Sequence, residues 1–252
     1  MTETTSQIEE PETTYYSGIL YHGAKEPFNF DPKYDYNTAT TDGSWTLGPG
    51  LYSLHTEEEA KKYSHVRQGH YDYSTHKKPP THVYSVYAND CKFLDFRNEE
   101  GGNTFTPPNI IKKWKSYFEK RFNQEKEEKP DLGPEIAHVE GKNGIGRRII
   151  NRAYIDRDKK EKYLKYLEEI EDKSNIHLRK MLGTQPIINS PSGFNGNNYG
   201  VQWGNWFADF VVKDLGYDGI IYIEGTEYEK GDASTFIIYN LDSIKVSEKP
   251  IQ

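Results

Sequence analysis

The chain has 252 residues and a formal net charge of −7, which suits one large domain or two small ones and argues against a general nucleic-acid-binding surface. Its single cysteine, Cys91, excludes an intramolecular disulfide and a cysteine-based zinc cluster. No apolar run approaches the roughly 18 residues of a membrane helix, and no signal-peptide pattern is present. We therefore expect a protein of the cytoplasm, or one delivered into a host cell cytosol without a cleaved signal, and no membrane partner.

The chain opens with a polar stretch and a first strand. Residues 1–14 are rich in Thr and Glu and nearly free of apolar side chains, which predicts a disordered leader. The apolar run Ile19-Leu20-Tyr21 then closes on His22 and Gly23, and it predicts a strand over residues 17–22.

A glycine turn and a capped helix follow. The sequence Gly48-Pro49-Gly50-Leu51 directly precedes Tyr52. Thr56-x-x-Glu59 has the form of a capping box, in which each residue satisfies a main-chain N–H of the other. The helix that begins there carries Tyr63 about two turns along. A histidine, a glycine main chain and two tyrosines can therefore converge. Together they would form a binding site that suits a flat aromatic ligand with a sugar attached.

Two β-rich stretches come next, Thr81–Ala88 and Lys92–Phe96, and each predicts a strand. The polar segment before them carries three histidines without nearby acidic partners. Their spacing favours a solvated loop over a metal site, and the residues concerned are His65, His70 and His76.

The middle of the chain, residues 105–185, is predicted to be a helical insertion. Apolar residues at helical spacing predict helices over 110–124 and 156–170, the second extended by 177–182 and stopped by Gly183. The basic piece Gly141–Arg152 lacks the Gly-Lys-Ser/Thr of a phosphate-binding loop, and we interpret it as a surface loop.

The last quarter predicts turn-rich, helical and strand segments in that order. Residues 189–199 consist of turn-forming residues, and residues 203–215 form an amphipathic pattern that ends at Gly216. Residues 217–224 and 235–241 are continuously apolar in the middle, as buried strands are. The predicted organisation is a leader (1–14), two halves of one core (15–104 and 186–252), and the insertion between them (105–185).

The pattern Tyr21-His22-Gly23, Gly48-Pro49-Gly50-Leu51-Tyr52 and then Tyr63 resembles the NAD-binding half of an ADP-ribosyltransferase. The branch is the H-Y-E type, which includes poly(ADP-ribose) polymerases, diphtheria-type toxins and bacterial effector or phage enzymes. Residues 215–222 and 234–244 resemble the last two core strands of that family. The resemblance covers about residues 17–97 and 203–246. It implies an α+β fold with split antiparallel β-sheets around an NAD cleft.

The resemblance also implies roles for residues at matching positions. His22 would hydrogen-bond a hydroxyl of the nicotinamide ribose, and Gly23 would offer its main chain to the carboxamide. Tyr52 and Tyr63 would enclose the cationic pyridinium ring by stacking and cation–π attraction.

The chain departs from the family pattern at two positions. The serine that many relatives carry on the capped helix is Ala60 here, so Ser53 or a main-chain group would hold the carboxamide. The acidic residue that precedes the last-strand aromatic is Thr235, which carries no charge and argues against chain elongation. Asp232 is the preferred source of a replacement carboxylate, and the other candidates are Glu227 and Glu229.

We therefore expect a mono-ADP-ribosyltransferase with NAD as co-substrate and no metal, in which His22, Tyr52, Asp232 and Thr235 take part in catalysis. The acceptor would be a macromolecule recognised by residues 105–185, a protein rather than a nucleic acid given the acidic charge. Three alternatives stay open: an inactive NAD- or ADP-ribose-binding module, an NAD glycohydrolase, and an interaction protein that works through residues 105–185.

Overall fold

A computed structural model describes most of the core of the chain. The described residues are 12–24, 30, 47–48, 50–61, 82–97, 105–128, 136–141, 144–149, 157–174, 176–183, 200–223, 234–247 and 249–251. Several predicted features lie outside them: Tyr63, Asp232, Glu227, Glu229, His65, His70, His76 and the segment 189–199.

The described elements confirm a mixed α+β class. The strands are β1 (Glu12–Ala24), β2 (Leu51–Ser53), β3 (His82–Asp95), β4 (Phe105–Thr106), β5 (Ile136–Gly141), β6 (Gly144–Ile149), β7 (Ile176–His177), β8 (Gly219–Ile223), β9 (Ser234–Ile238) and β10 (Ile244–Val246). The helices are α1 (57–61), α2 (Pro108–Glu128), α3 (Arg157–Ile170), α4 (Leu178–Met181) and α5 (Gly200–Asp209), which continues as a π-turn over Phe210–Asp214. None of the described helices is long and apolar enough to cross a membrane.

The main sheet has six strands. Five follow the order β1-β3-β8-β9-β2, and the sixth, β10, also pairs with β3. All pairings in it are antiparallel except that of β3 with β8, a parallel pair that the sequence prediction did not include. Tyr21 and Leu54 exchange two main-chain hydrogen bonds of 2.8 Å, which bring the far end of β1 against the residue after β2. The first and last strands of the order therefore meet.

The sheet has an apolar cluster on each face, because successive strand residues point to opposite sides. Ile220 and Ile237 belong to a helix-side cluster, and Ile221 and Phe236 belong to an inner cluster. The helix-side cluster also contains Leu94, Phe96, Trp114, Phe118, Tyr163, Phe207, Phe210 and Tyr222. The inner cluster also contains Leu20, Leu51, Val86, Cys91, Phe93, Ile238, Leu241 and Ile244. The prediction that β8 and β9 are buried central strands is confirmed.

The helices cover one face of the sheet through aromatic side chains. Trp114 on α2 donates from its indole N–H to Tyr163 OH on α3 at 2.9 Å, and Tyr163 OH donates to Met181 O on α4 at 2.6 Å. These buried polar groups are thus satisfied inside an apolar cluster. Phe207 meets Trp114 edge-on with ring centroids 5.5 Å apart, which joins α5 to the same layer.

Three predicted boundaries are corrected. β1 begins at Glu12, so residues 12–14 of the predicted leader form a strand, because β3 extends far enough to pair with them at Asp95. Gly141–Arg152 is not a surface loop throughout, since β5 and β6 pair as a hairpin that closes between Gly141 and Gly144. Residues 177–182 do not extend α3. They contain a separate short helix, which ends before Gly183 at φ +65°.

Any side chain at Gly219 is predicted to disrupt the pairing of β8 with β9. A Cβ there would lie 2.1 Å from Ile237 O, so Gly219→Ala should lower the free energy of unfolding by about 3 kcal/mol or more. Gly216→Ala is the control: its φ of +71° is strained for alanine but nothing lies within 4 Å, so the cost should be about 1 kcal/mol. Urea denaturation of both variants measures the difference. Equal stabilities would contradict this β8–β9 packing.

Candidate functional site

His22 joins β1 to β2 through its side chain. Its Nδ1 lies 2.7 Å from Tyr52 O, and a carbonyl oxygen only accepts, so Nδ1 carries the proton and Nε2 is the acceptor of the neutral ring. Burial lowers the pKa of His22, and the bond to the Tyr52 carbonyl opposes that shift. The imidazole is therefore neutral at pH 7 in one defined tautomer.

Tyr52 presents its ring to the other side of this junction. The half-buried ring packs against the helix-side cluster, and its hydroxyl donates to Gly48 O at 3.1 Å. Its neighbour Leu51 points into the inner cluster, as strand alternation requires. The tyrosine is thus anchored at both its ring and its hydroxyl.

The predicted site residues are adjacent, but their side chains occupy two faces. His22 shares its face with Leu20, two residues earlier on β1, and Ser53 shares the inner-cluster face with its β9 partner Phe236. Tyr52 lies on the helix-side face. Ser53 is 0% exposed and, as the strand neighbour of Tyr52, lies on the opposite face from the ring of Tyr52, away from the place where a carboxamide stacked on that ring would be.

Thr235, one of the predicted catalytic residues, is 1% exposed. Thr235 pairs with Tyr222 on β8, and Tyr222 belongs to the helix-side cluster. Thr235 therefore lies on the helix-side face together with Tyr52. Within the described part of the chain, the hydroxyls of Thr235 and Ser53 are buried without a hydrogen-bond partner. An unpaired buried hydroxyl costs about 1–3 kcal/mol, and Thr235, which shares its face with Tyr52, is therefore a candidate for contact with a bound molecule.

The capping box that precedes α1 is confirmed. Thr56 N donates to Glu59 Oε2 and Glu59 N donates to Thr56 Oγ1, both at 3.1 Å. Ala60 is fully buried beside Leu54 and Val83. Helix α1 therefore packs on the same junction of β1 and β2 that holds His22.

An ion pair between a buried Asp95 and a half-buried Arg97, next to Thr235 through Ser234, was not predicted from the sequence. Arg97 Nε donates to Asp95 Oδ1 at 2.9 Å, and Arg97 Nη1 donates to Ser234 Oγ at 3.2 Å. Thr14 Oγ1 also donates to Asp95, at 2.9 Å. The Asp95 carboxylate raises the pKa of Arg97. The available signal was Asp-x-Arg at the end of a predicted strand, and the network ties β1, β3 and β9 together.

Comparison of the chain with known proteins found no match among family models, curated proteins or solved structures. Among the described residues, no group of three or more His, Cys, Asp or Glu side chains is arranged to hold a metal ion. The absence of a metal requirement stays a prediction, and so does the family resemblance.

The neutral state of His22 predicts a stability that falls in acid. Because its pKa is lowered in the folded state, the unfolded chain takes up the proton first, as the pH falls through about 6.5. The free energy of unfolding should therefore drop between pH 7.5 and pH 5.5, and the drop should be smaller in His22→Gln. Burial also lowers the pKa of His55 and His177, so part of the slope should remain.

Urea denaturation at pH 7.5, 6.5 and 5.5 measures these slopes. Ile19→Val, at an exposed position on β1, is the control that removes no titratable group and should keep the wild-type slope. Identical slopes for wild type and His22→Gln would contradict a His22 that stays neutral in the folded state.

Proposed function

We propose that this chain is a mono-ADP-ribosyltransferase that cleaves NAD, releases nicotinamide and transfers ADP-ribose to a protein. The observation that carries the proposal is the 2.7 Å bond between His22 Nδ1 and Tyr52 O. It joins the Tyr-His-Gly and Gly-Leu-Tyr motifs on which the resemblance rests. The pairing of β2 with β9 adds support. Tyr52 lies opposite Ile237, and Thr235 is two residues before Ile237 on the same face of β9.

His22 would bind the nicotinamide ribose, which in this proposal reaches across the β1–β2 junction from the ring of Tyr52 to the face that carries His22. With Nδ1–H donating to Tyr52, the neutral ring offers Nε2 as an acceptor for a sugar hydroxyl. Protonation would turn Nε2 into a donor and place a positive charge beside a cationic substrate, so the lowered pKa of His22 suits this role.

Gly23 and Tyr52 would hold the nicotinamide. Gly23 follows His22 directly on β1, and without a side chain it allows a ligand to approach its main chain. Stacking of the pyridinium on Tyr52 contributes about 1–2 kcal/mol by general estimates for such contacts. Tyr63 would close the other side in this proposal.

The chemical step is a substitution at C1′ of the nicotinamide ribose. As the C1′–N bond breaks, its electron pair returns to the pyridinium nitrogen and neutralises the leaving group, while the sugar gains oxocarbenium character. The acceptor nucleophile then forms the new bond to C1′ and loses its proton. Thr235 can supply one hydrogen bond to the sugar but no negative charge to stabilise the developing cation.

The uncharged Thr235 favours transfer of single ADP-ribose units over chain elongation. Its hydroxyl is nearly fully buried and unpaired among the described residues, which suits a group that gains a partner when the ligand binds. Asp232 would supply the missing carboxylate in this proposal.

The acceptor would be a protein bound by residues 105–185, in the cytoplasm or in a host cell cytosol. The net charge of −7 favours a protein over a nucleic acid. Helix α2 and the turn after α3 carry charges of both signs, which include the pairs Lys112–Asp172 and Lys115–Glu171.

A binding module without turnover is the second candidate. The observation in its favour is the same Thr235, which is buried and carries no charge. An NAD glycohydrolase, with water as the acceptor, shares every binding role of the first proposal and differs only in the nucleophile.

Incubation of the purified protein with labelled NAD and a cell lysate separates these functions. We expect label on a discrete protein band together with free nicotinamide, and neither with His22→Ala or Tyr52→Ala. Nicotinamide without labelled protein would indicate the glycohydrolase. Saturable NAD binding without nicotinamide would indicate the module and overturn the proposed activity.

Thr235→Val tests whether the buried hydroxyl serves the ligand. Valine keeps the shape and removes an unpaired polar atom, so the variant should be as stable as wild type or up to about 1 kcal/mol more stable. Nicotinamide release should nevertheless fall by about tenfold, equivalent to about 1.4 kcal/mol in the transition state. Thermal melting and a nicotinamide assay measure the two effects. Unchanged turnover would exclude Thr235 from the site.

A further inference from the structure

Two tyrosine hydroxyls hold the residues that lead into β2. Tyr239 OH donates to Leu47 O at 2.5 Å, and Tyr52 OH donates to Gly48 O at 3.1 Å. Tyr239 follows β9, and Tyr52 lies in β2. The pre-β2 segment, which comprises Leu47, Gly48 and Gly50, is thus tied to two neighbouring strands.

The glycines of the pre-β2 segment fit against these supports. Gly48 has φ +104°, and a Cβ on it would lie 2.4 Å from Gly204 O on α5. A Cβ on Gly50 would lie 2.7 Å from Ile237 Cγ2 and 2.9 Å from Tyr239 Cδ1. The segment is therefore seated between α5 on one side and the ring of Tyr239 on the other.

The hydroxyl of Tyr239 is suited to a permanent donor role. Burial raises its pKa well above the ordinary value for tyrosine, and the neighbouring Tyr52 and Tyr222 hydroxyls act in the same direction. It therefore keeps its proton across the range in which proteins are assayed. A bond from this donor to a main-chain carbonyl restrains the segment without any change of charge.

We propose that Tyr239 is a positioning residue for Tyr52, because its hydroxyl fixes the pre-β2 segment and so the ring that follows it. The inference rests on the proposed function, in which Tyr52 stacks on nicotinamide. Tyr239 itself does not touch the substrate. Stacking on the cationic ring stabilises bound NAD, and that charge is lost as nicotinamide leaves. Loosening Tyr52 should therefore weaken substrate binding more than it slows bond cleavage.

Tyr239→Phe is the direct test, because phenylalanine keeps the ring against Gly50 and removes only the bond to Leu47. We expect KM for NAD to rise about fivefold, the effect of one hydrogen bond, while kcat changes by less than about twofold. Tyr87→Phe is the matched control: Tyr87 is 47% exposed on β3, and both constants should be unchanged. An unchanged KM in Tyr239→Phe would overturn the inference.

A double-mutant cycle separates positioning from a general loss of stability. In a Tyr52→Ala background, Tyr239→Phe should cause no further rise in the dissociation constant for NAD, because its only route to the ligand is through the Tyr52 ring. The same fivefold effect in both backgrounds would contradict a positioning role.

Hydrogen exchange distinguishes failure of this inference from failure of the proposed function. Without NAD, the amides of residues 47–52 should exchange faster in Tyr239→Phe than in wild type. If wild type neither binds nor cleaves NAD, the proposed function fails. The exchange result then decides only whether the Tyr239 hydroxyl fixes the pre-β2 segment. If NAD is cleaved but exchange and KM are both unchanged by Tyr239→Phe, the inference fails and the function stands.

Discussion

The contact between the end of β1 and β2 is the constraint on which the rest of the structure depends. Two main-chain bonds of 2.8 Å join Tyr21 to Leu54, and a side-chain bond of 2.7 Å joins His22 to Tyr52. The same residues therefore close the sheet order on itself and fix the tautomer of the histidine. Burial disfavours a protonated His22, so the fold itself keeps the imidazole neutral, without any bound molecule.

The helical region is part of this core and not an independent attachment. Trp114 and Tyr163 from α2 and α3 lie in one apolar cluster with Ile220 and Ile237 from β8 and β9. Removing residues 105–185 would expose that face of the sheet, and expressing them alone would expose the opposite side of the same cluster. This makes a scaffold whose central region works alone the weakest of the functional alternatives, because the described inner sides of α2 and α3 are buried against the sheet.

Local signals in the sequence predicted local structure well. The capping box at Thr56, the strands β8 and β9, and the helix that ends before Gly216 follow from hydrogen-bonding chemistry and apolar patterns within a few residues. Long-range pairing was not accessible in the same way. The parallel pairing of β3 with β8, the Arg97–Ser234 bond and the Tyr239–Leu47 bond each join residues whose sequence surroundings carry no mark of their partner. Which cluster each face of a strand meets was also beyond reach, because it depends on strand register. That Ser53 and Tyr52 point to opposite faces follows from strand alternation alone.

The central claim is that the junction of His22 and Tyr52 forms part of an NAD-binding site. Isothermal titration of NAD into the folded protein tests this most directly, with His22→Ala as the control variant. The account predicts saturable binding at one site per chain, weakened at least about tenfold in the variant, in which a contact worth about 1.4 kcal/mol or more is lost. Absence of binding to a protein with a cooperative unfolding transition, or equal affinity in His22→Ala, would contradict it.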